Sequence, residues 1–139
     1  MAATMARLSW VSGLRFEARS ESGHTVTMDS QARPGHAGPS PMELMVAAVA
    51  GCTAMDVVSI LEKMRQPVAG FEVEVTGERA DGNPKRLTAI GITYRLRGVG
   101  LAREKVERAV ELSHSTYCSA LASLRPDCVV TSAVEIIEP

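Results

Sequence analysis

Between Pro41 and Pro67 the chain carries no internal proline and, through its first half, no polar face. No other feature limits the possible folds as much. Ser40-Pro41-Met42-Glu43 reads as a capping box, with proline at the first helical position, where its missing N–H costs nothing. The pattern stays helix-compatible to Gln66, and Pro67 stops it. A helix over residues 40–66 would be a rod of about 39 Å. From Leu44 to Cys52 its residues are apolar or small on all sides, and polar ones return only with Asp56, Ser59, Glu62, Lys63 and Arg65. A helix without a polar face is buried on every side. This one is therefore expected at the centre of a domain or of a dimer.

The flanking segments read mainly as strands. Residues 6–19 alternate imperfectly and break at Ser12-Gly13, as two strands around a turn would, and His24–Met28 adds a third. Segments over about 1–29 (N-terminal strands), 70–98 (a hairpin turning at Asp81-Gly82-Asn83-Pro84), 101–124 (helices) and 128–137 (a last strand) flank the central helix. Residues 30–40, with two prolines and two glycines, form a loop. Within 101–124 an amphipathic helix runs from Leu101 to about His114 with Val106, Ala109, Val110 and Leu112 inward, and a short helical piece spans about Thr116 to Leu124. Strands joined by tight turns beside segregated helices predict an α+β fold with antiparallel sheet, in one domain over residues 1–139.

Charge and composition narrow the function. A net charge of −1 argues against a nucleic-acid footprint, which needs clustered basic charge. No uninterrupted apolar run reaches the roughly 18 residues of a membrane span, and the N-terminus has no apolar core of a signal peptide. Three cysteines without paired short spacings do not suggest a disulfide scaffold. The expectation is a soluble cytoplasmic domain. Its aromatic residues are only Trp10, Phe16, Phe71, Tyr94 and Tyr117, so seven methionines and many Ala and Val must fill the core. Thin cores of that kind often complete their burial by oligomerising, which points to a dimer.

Chemistry rests on the cysteines. Cys52 lies about three turns inside the long helix, beyond the reach of the N-terminal dipole. It is either a small core residue or a thiolate whose stabilising cation comes from elsewhere in the fold. Cys118 falls near the start of the short helix with Ser or Thr available as cap, a placement that favours thiolate, although a buried packing cysteine fits equally. Cys128 reads as a packing residue before the last strand. His114 and Cys118 are four apart but separated by a turn near Ser115, and His24 and His36 have no ligand neighbours, so no metal site is expected. No CxxC, HExxH, Walker A, GxGxxG or GxSxG motif occurs. The charged residues of 102–111 read as a solvated helix face.

Taken together, Gly38-Pro39-Ser40-Pro41-Met42-Glu43-Leu44 leading through Met45-Val46-Ala47-Ala48-Val49-Ala50-Gly51 to Cys52, with Cys118 sixty-six residues later, resemble the OsmC/Ohr family, and its broad OsmC-like branch in particular. The resemblance covers nearly the whole chain. It implies an intertwined homodimer with antiparallel sheet wrapped on the long central helices. It also implies reduction of organic hydroperoxides in oxidative-stress defence without a metal or bound organic cofactor, with Cys52 peroxidatic, Cys118 resolving, and a small dithiol or lipoylated protein as external reductant. An arginine on an early strand, held by a glutamate, is expected beside the reactive thiolate. Arg15 is the best match, with Arg19 as fallback. The family's hydroperoxide-resistance branch has the glutamate ten residues before the cysteine, where this chain has Met42. Glu43, the candidate for that role in this chain, stands one residue, about 100° of helix, further on and is also used by the capping box. Two other functions stay open: an apolar-ligand-binding protein with inert cysteines, and a redox-responsive protein whose disulfide changes its shape without turnover.

Overall fold

A computed structural model describes residues 3–137, so the first two residues of the N-terminal strand segment and the last two of the expected domain lie outside it. The elements, in order, are β1 (Ala6–Ser12), β2 (Arg15–Ser20), β3 (Thr25–Met28), α1 (Pro41–Lys63), β4 (Gly70–Arg79), β5 (Leu87–Arg97), α2 (Arg103–Leu112), a π-helical turn (Ser113–Tyr117), α3 (Ser119–Ala122) and β6 (Val129–Ile137). They fall into two compact units, Met1–Met45 and Val46–Pro139.

The N-terminal unit carries an antiparallel meander, β1-β2-β3. Gly13, at φ +53°, makes the first turn where the sequence broke, and the Trp10 indole N–H donates to its carbonyl at 2.9 Å. Leu8, Ala18 and Val26 form one cross-strand row and Trp10, Phe16 and Met28 the next. Leu8, Trp10, Phe16 and Val26 are exposed, Trp10 at 66%.

The loop after β3 is organised by Asp29, which is buried. Its carboxylate accepts from Arg15 Nε (2.9 Å) and from the backbone amides of Ser30 (2.8 Å) and Ala37 (3.0 Å). The Arg15 hydrogen bond is the main reason its pKa falls from 3.8 to about 2, with the two amides assisting. Because the folded-state pKa is the lower one, the carboxylate stabilises the loop fully above pH 3.8 and loses that effect as pH falls through about 2. We expect the protection of the Ala37 amide, its exchange measured against the intrinsic rate at each pH, to fall over that window in the wild-type protein. In Asp29→Asn it should already be low at neutral pH. Equal protection in the two proteins at pH 7 would contradict this account.

α1 starts on the expected capping box: Ser40 Oγ accepts from the Glu43 amide (3.2 Å) and Glu43 Oε1 from the Ser40 amide (2.9 Å). Its end differs from the proline stop. Arg65 sits at φ +57°, its N–H bonds the Glu62 carbonyl (3.0 Å) and the Gln66 N–H bonds that of Leu61 (2.9 Å). That is a Schellman termination, so α1 closes at Lys63, short of Gln66.

In the second unit β5 lies between β4, its antiparallel neighbour, and β6, which runs parallel to it. The sheet is therefore mixed, correcting the expected all-antiparallel pairing. Residues 98–128, with α2 and α3, separate β5 from β6, and a connection of that length permits the parallel return. Leu87, Ile90, Ile92, Tyr94 and Leu96 of β5 are buried, as are Val106, Ala109 and Val110 of α2. Leu112 is only half-buried. The helical stretch expected over 101–114 starts at Arg103 and gives way to the π-helical turn after Leu112, and the short piece narrows to Ser119–Ala122.

Only one face of α1 is buried, carrying Val49, Ala50, Thr53, Val57 and Leu61. Met45 (47%), Met55 (74%) and Val58 are exposed, with Ala47 and Ala48. Burial on every side is thus not reached within one chain. By length and composition α1 is also apolar enough to cross a membrane, although no uninterrupted run in the sequence is.

Candidate functional site

Both candidate thiols lie in the second unit. Cys52 stands on α1, half-buried, at the border between the helix's buried face and its open one. With Met45, Ala48 and Met55 it follows an i, i+3, i+7, i+10 stripe. Cys118 is buried, immediately after the π-helical turn, and Cys128 is buried before β6 as expected. All three are free.

Cys118 is itself the N-cap of α3: its sulfur accepts from the Leu121 amide at 3.4 Å. Placement at the start of a short helix would by itself favour thiolate, but burial reverses that preference. Burial, the largest influence, pushes the Cys118 thiol above its ordinary value. The Leu121 amide opposes this, and Cys52, its hydrogen-bonding neighbour, adds to the rise because two adjacent thiolates repel. A four-residue helix has too few aligned peptides to outweigh burial. Cys118 is thus a protonated thiol beside Cys52.

Around the pair runs a buried polar chain that the sequence did not disclose. Thr53, next to Cys52, joins Tyr94 Oη and Ser113 Oγ at 2.8 Å each. Ser113 Oγ donates to Asp56 Oδ2 at 2.9 Å, and Tyr94 Oη meets His114 Nε2 at 2.8 Å. Counting protons sets the direction. Ser113 gives its only proton to Asp56, so Thr53 donates to Ser113, Tyr94 to Thr53, and His114 Nε2–H to Tyr94. Burial raises the Tyr94 hydroxyl to about 12 and lowers the His114 imidazole, keeping both neutral near pH 7. The histidine's Nε2 proton is thereby committed to the chain. His114 also lines a groove of about 650 Å³ with Glu107, Val110, Glu111 and Ser132, while Asp56 lines one of about 440 Å³ with Ser59, Lys63 and Tyr117. No sequence signal marked Thr53 or Ser113. Tyr94 was visible only as a strand aromatic, and His114 only as a residue four from Cys118.

The remaining expected site residues lie in the N-terminal unit. Arg15 is held by Asp29 (2.9 Å) and by the Gly35 carbonyl (3.0 Å), not by a glutamate. Glu43 Oε1 serves the capping box and accepts from Gln31 Nε2 at 3.0 Å. Arg15 is thus paired with Asp29, and Glu43 with the capping box and Gln31. Among the described residues no three metal-ligating side chains converge.

A family model described as "OsmC-like protein" matches residues 33–133. Protein YhfA of Escherichia coli (strain K12) is 42% identical over 132 residues, covering 95% of this chain and 97% of YhfA. A crystal structure of a protein from Aquifex aeolicus superposes with a TM-score of 0.89 at 29% identity, covering 100% of this chain and 99% of that one. An organic hydroperoxide resistance protein from Elizabethkingia anophelis superposes with a TM-score of 0.72 at 14% identity, over 99% and 98% of the two chains, which is a likeness of fold.

Proposed function

The chain belongs to the OsmC-like protein family, and from that membership we propose that it is a cytoplasmic, homodimeric thiol peroxidase for organic hydroperoxides. The observation that carries the proposal is the pairing of a half-exposed Cys52 with a buried, protonated Cys118. In the first step the Cys52 sulfur attacks the O–O bond of the hydroperoxide. That bond breaks, the alcohol departs with a proton, and Cys52 becomes a sulfenic acid, oxidised by two electrons. Cys118 then attacks the sulfenic sulfur, losing its proton as the hydroxyl leaves as water, and a Cys52–Cys118 disulfide forms. An external dithiol returns both to thiols by exchange. A resolving thiol that keeps its proton until the second step does not compete with Cys52 for the peroxide. Apolar Met45, Ala48 and Met55 beside Cys52 favour an alkyl or aryl hydroperoxide over hydrogen peroxide. Arg15 and Glu43 are given no step here, since their polar atoms are held within the N-terminal unit.

Consumption of cumene hydroperoxide by the reduced protein, with dihydrolipoamide or dithiothreitol, tests this. Catalytic loss of peroxide is expected, falling to the no-protein baseline in Cys52→Ser. A wild-type protein that matches the baseline with its thiols still reduced would end the peroxidase proposal. One that oxidises its thiols without turnover would instead act as a redox-responsive protein.

A further inference from the structure

Thr53 and Ser113, both fully buried, each sit on the backbone segment that carries one of the two thiols. Thr53 directly follows Cys52 on α1. Ser113 opens the π-helical turn, and its carbonyl accepts from the Cys118 amide at 2.8 Å. The 2.8 Å Thr53–Ser113 hydrogen bond therefore ties the Cys52 segment to the Cys118 segment. Tyr94 on β5 and Asp56 on α1 hold the two hydroxyls from either side, so neither can turn away without leaving a buried polar group unpaired. A π-helical turn is an irregularity common at functional sites, and here it is pinned at its first residue.

We propose that Thr53 and Ser113, backed by Tyr94 and Asp56, are positioning residues that form a clasp holding Cys118 within reach of Cys52 for disulfide formation. The clasp rests on the two-cysteine mechanism above, but it acts on the disulfide itself and can be read without any peroxide. A satisfied network of this kind, enclosed at low dielectric, resists rearrangement. Cys118 thus meets Cys52 at an effective concentration that a loose turn would not give.

Equilibration of the protein with mixtures of oxidised and reduced dithiothreitol measures that concentration. The cyclic disulfide of dithiothreitol takes two electrons from Cys52 and Cys118, the two thiol protons pass to dithiothreitol, and the protein disulfide forms. Thr53→Val keeps the side-chain shape and deletes the hydroxyl. It should lower the disulfide equilibrium constant by about tenfold, the scale of one buried hydrogen bond. Thr53→Ser, which restores the hydroxyl, should return it to within about twofold of wild type. Should Thr53→Val fail to fold, Ser113→Ala is read in its place against the same prediction. An unchanged constant in the hydroxyl-free variant, or an equal loss in Thr53→Ser, would overturn the clasp. A wild-type protein that forms no Cys52–Cys118 disulfide would instead bring down the two-cysteine mechanism beneath it.

Discussion

Replacement of Cys118 by serine should leave a protein that consumes one equivalent of cumene hydroperoxide and then stalls. The hydroxyl of serine does not condense with a sulfenic acid, so Cys52 would stay oxidised after its first encounter with peroxide. Well-oriented intramolecular partners reach effective molarities of about 10⁵–10⁸ M, far above any added thiol. Even with a small share of that advantage, loss of Cys118 should slow steady turnover by about 10²-fold or more at low reductant. The first turnover should survive, because Cys118 holds its proton at rest and takes no part in the attack. Rapid-mixing measurement of peroxide loss, with a dimedone-type label for sulfenic acid at Cys52, separates the two phases. Sustained wild-type turnover in Cys118→Ser would remove it from the mechanism. Loss of the first turnover would mean that it takes part in the attack.

Charging the open face of α1 should split the protein into monomers. Met55 is 74% exposed in the single chain and Met45 47%, on a helix whose first half offers water no polar side chain. Exposed apolar surface of this extent marks an interaction site. In the proposed homodimer each copy covers this stripe for the other. In that arrangement Ala47, Ala48 and Gly51 would leave room for close approach, and both copies of Cys52 would gain an apolar surrounding. Burying one methionine contributes roughly 1.5–3 kcal/mol, so the two copies of Met55 contribute about 3–6 kcal/mol. That corresponds to about two to four decades in Kd. Sedimentation equilibrium at micromolar concentration should give two copies for wild type and for Met55→Leu, and one for Met55→Glu. A dimeric Met55→Glu protein would place the interface elsewhere, and a monomeric wild type would remove it.

Where a local rule sufficed, the structure follows the sequence closely. The capping box at Ser40 and Glu43 acts between residues three apart, and so does the turn at Gly13. Alternation over Phe71–Ala80 and Leu87–Leu96 needs only one buried face. The end of α1 was legible only in part. Pro67 marks the region, but the stop is made by Arg65 in a left-handed conformation usually taken by glycine, so composition offered no sign of it. Asp29 escaped notice for a related reason. A carboxylate near a loop is ordinary until folding brings Arg15, fourteen residues away in sequence, and the Ala37 amide onto the same oxygen.

The sequence by itself determined the long apolar helix with Cys52 inside it, the three N-terminal strands and the β4–β5 hairpin. Each follows from periodicity or from spacing within a few turns. Tertiary structure decided the rest. It made β6 parallel to β5, left one face of α1 open, paired Arg15 with Asp29, and protonated Cys118 by burial against the preference of its helix position. It also assembled Asp56, Ser113, Thr53, Tyr94 and His114 into one directed chain. Hydrogen bonds and desolvation depend on which atoms meet in space, and residues 20 to 60 positions apart carry no local signal that they will.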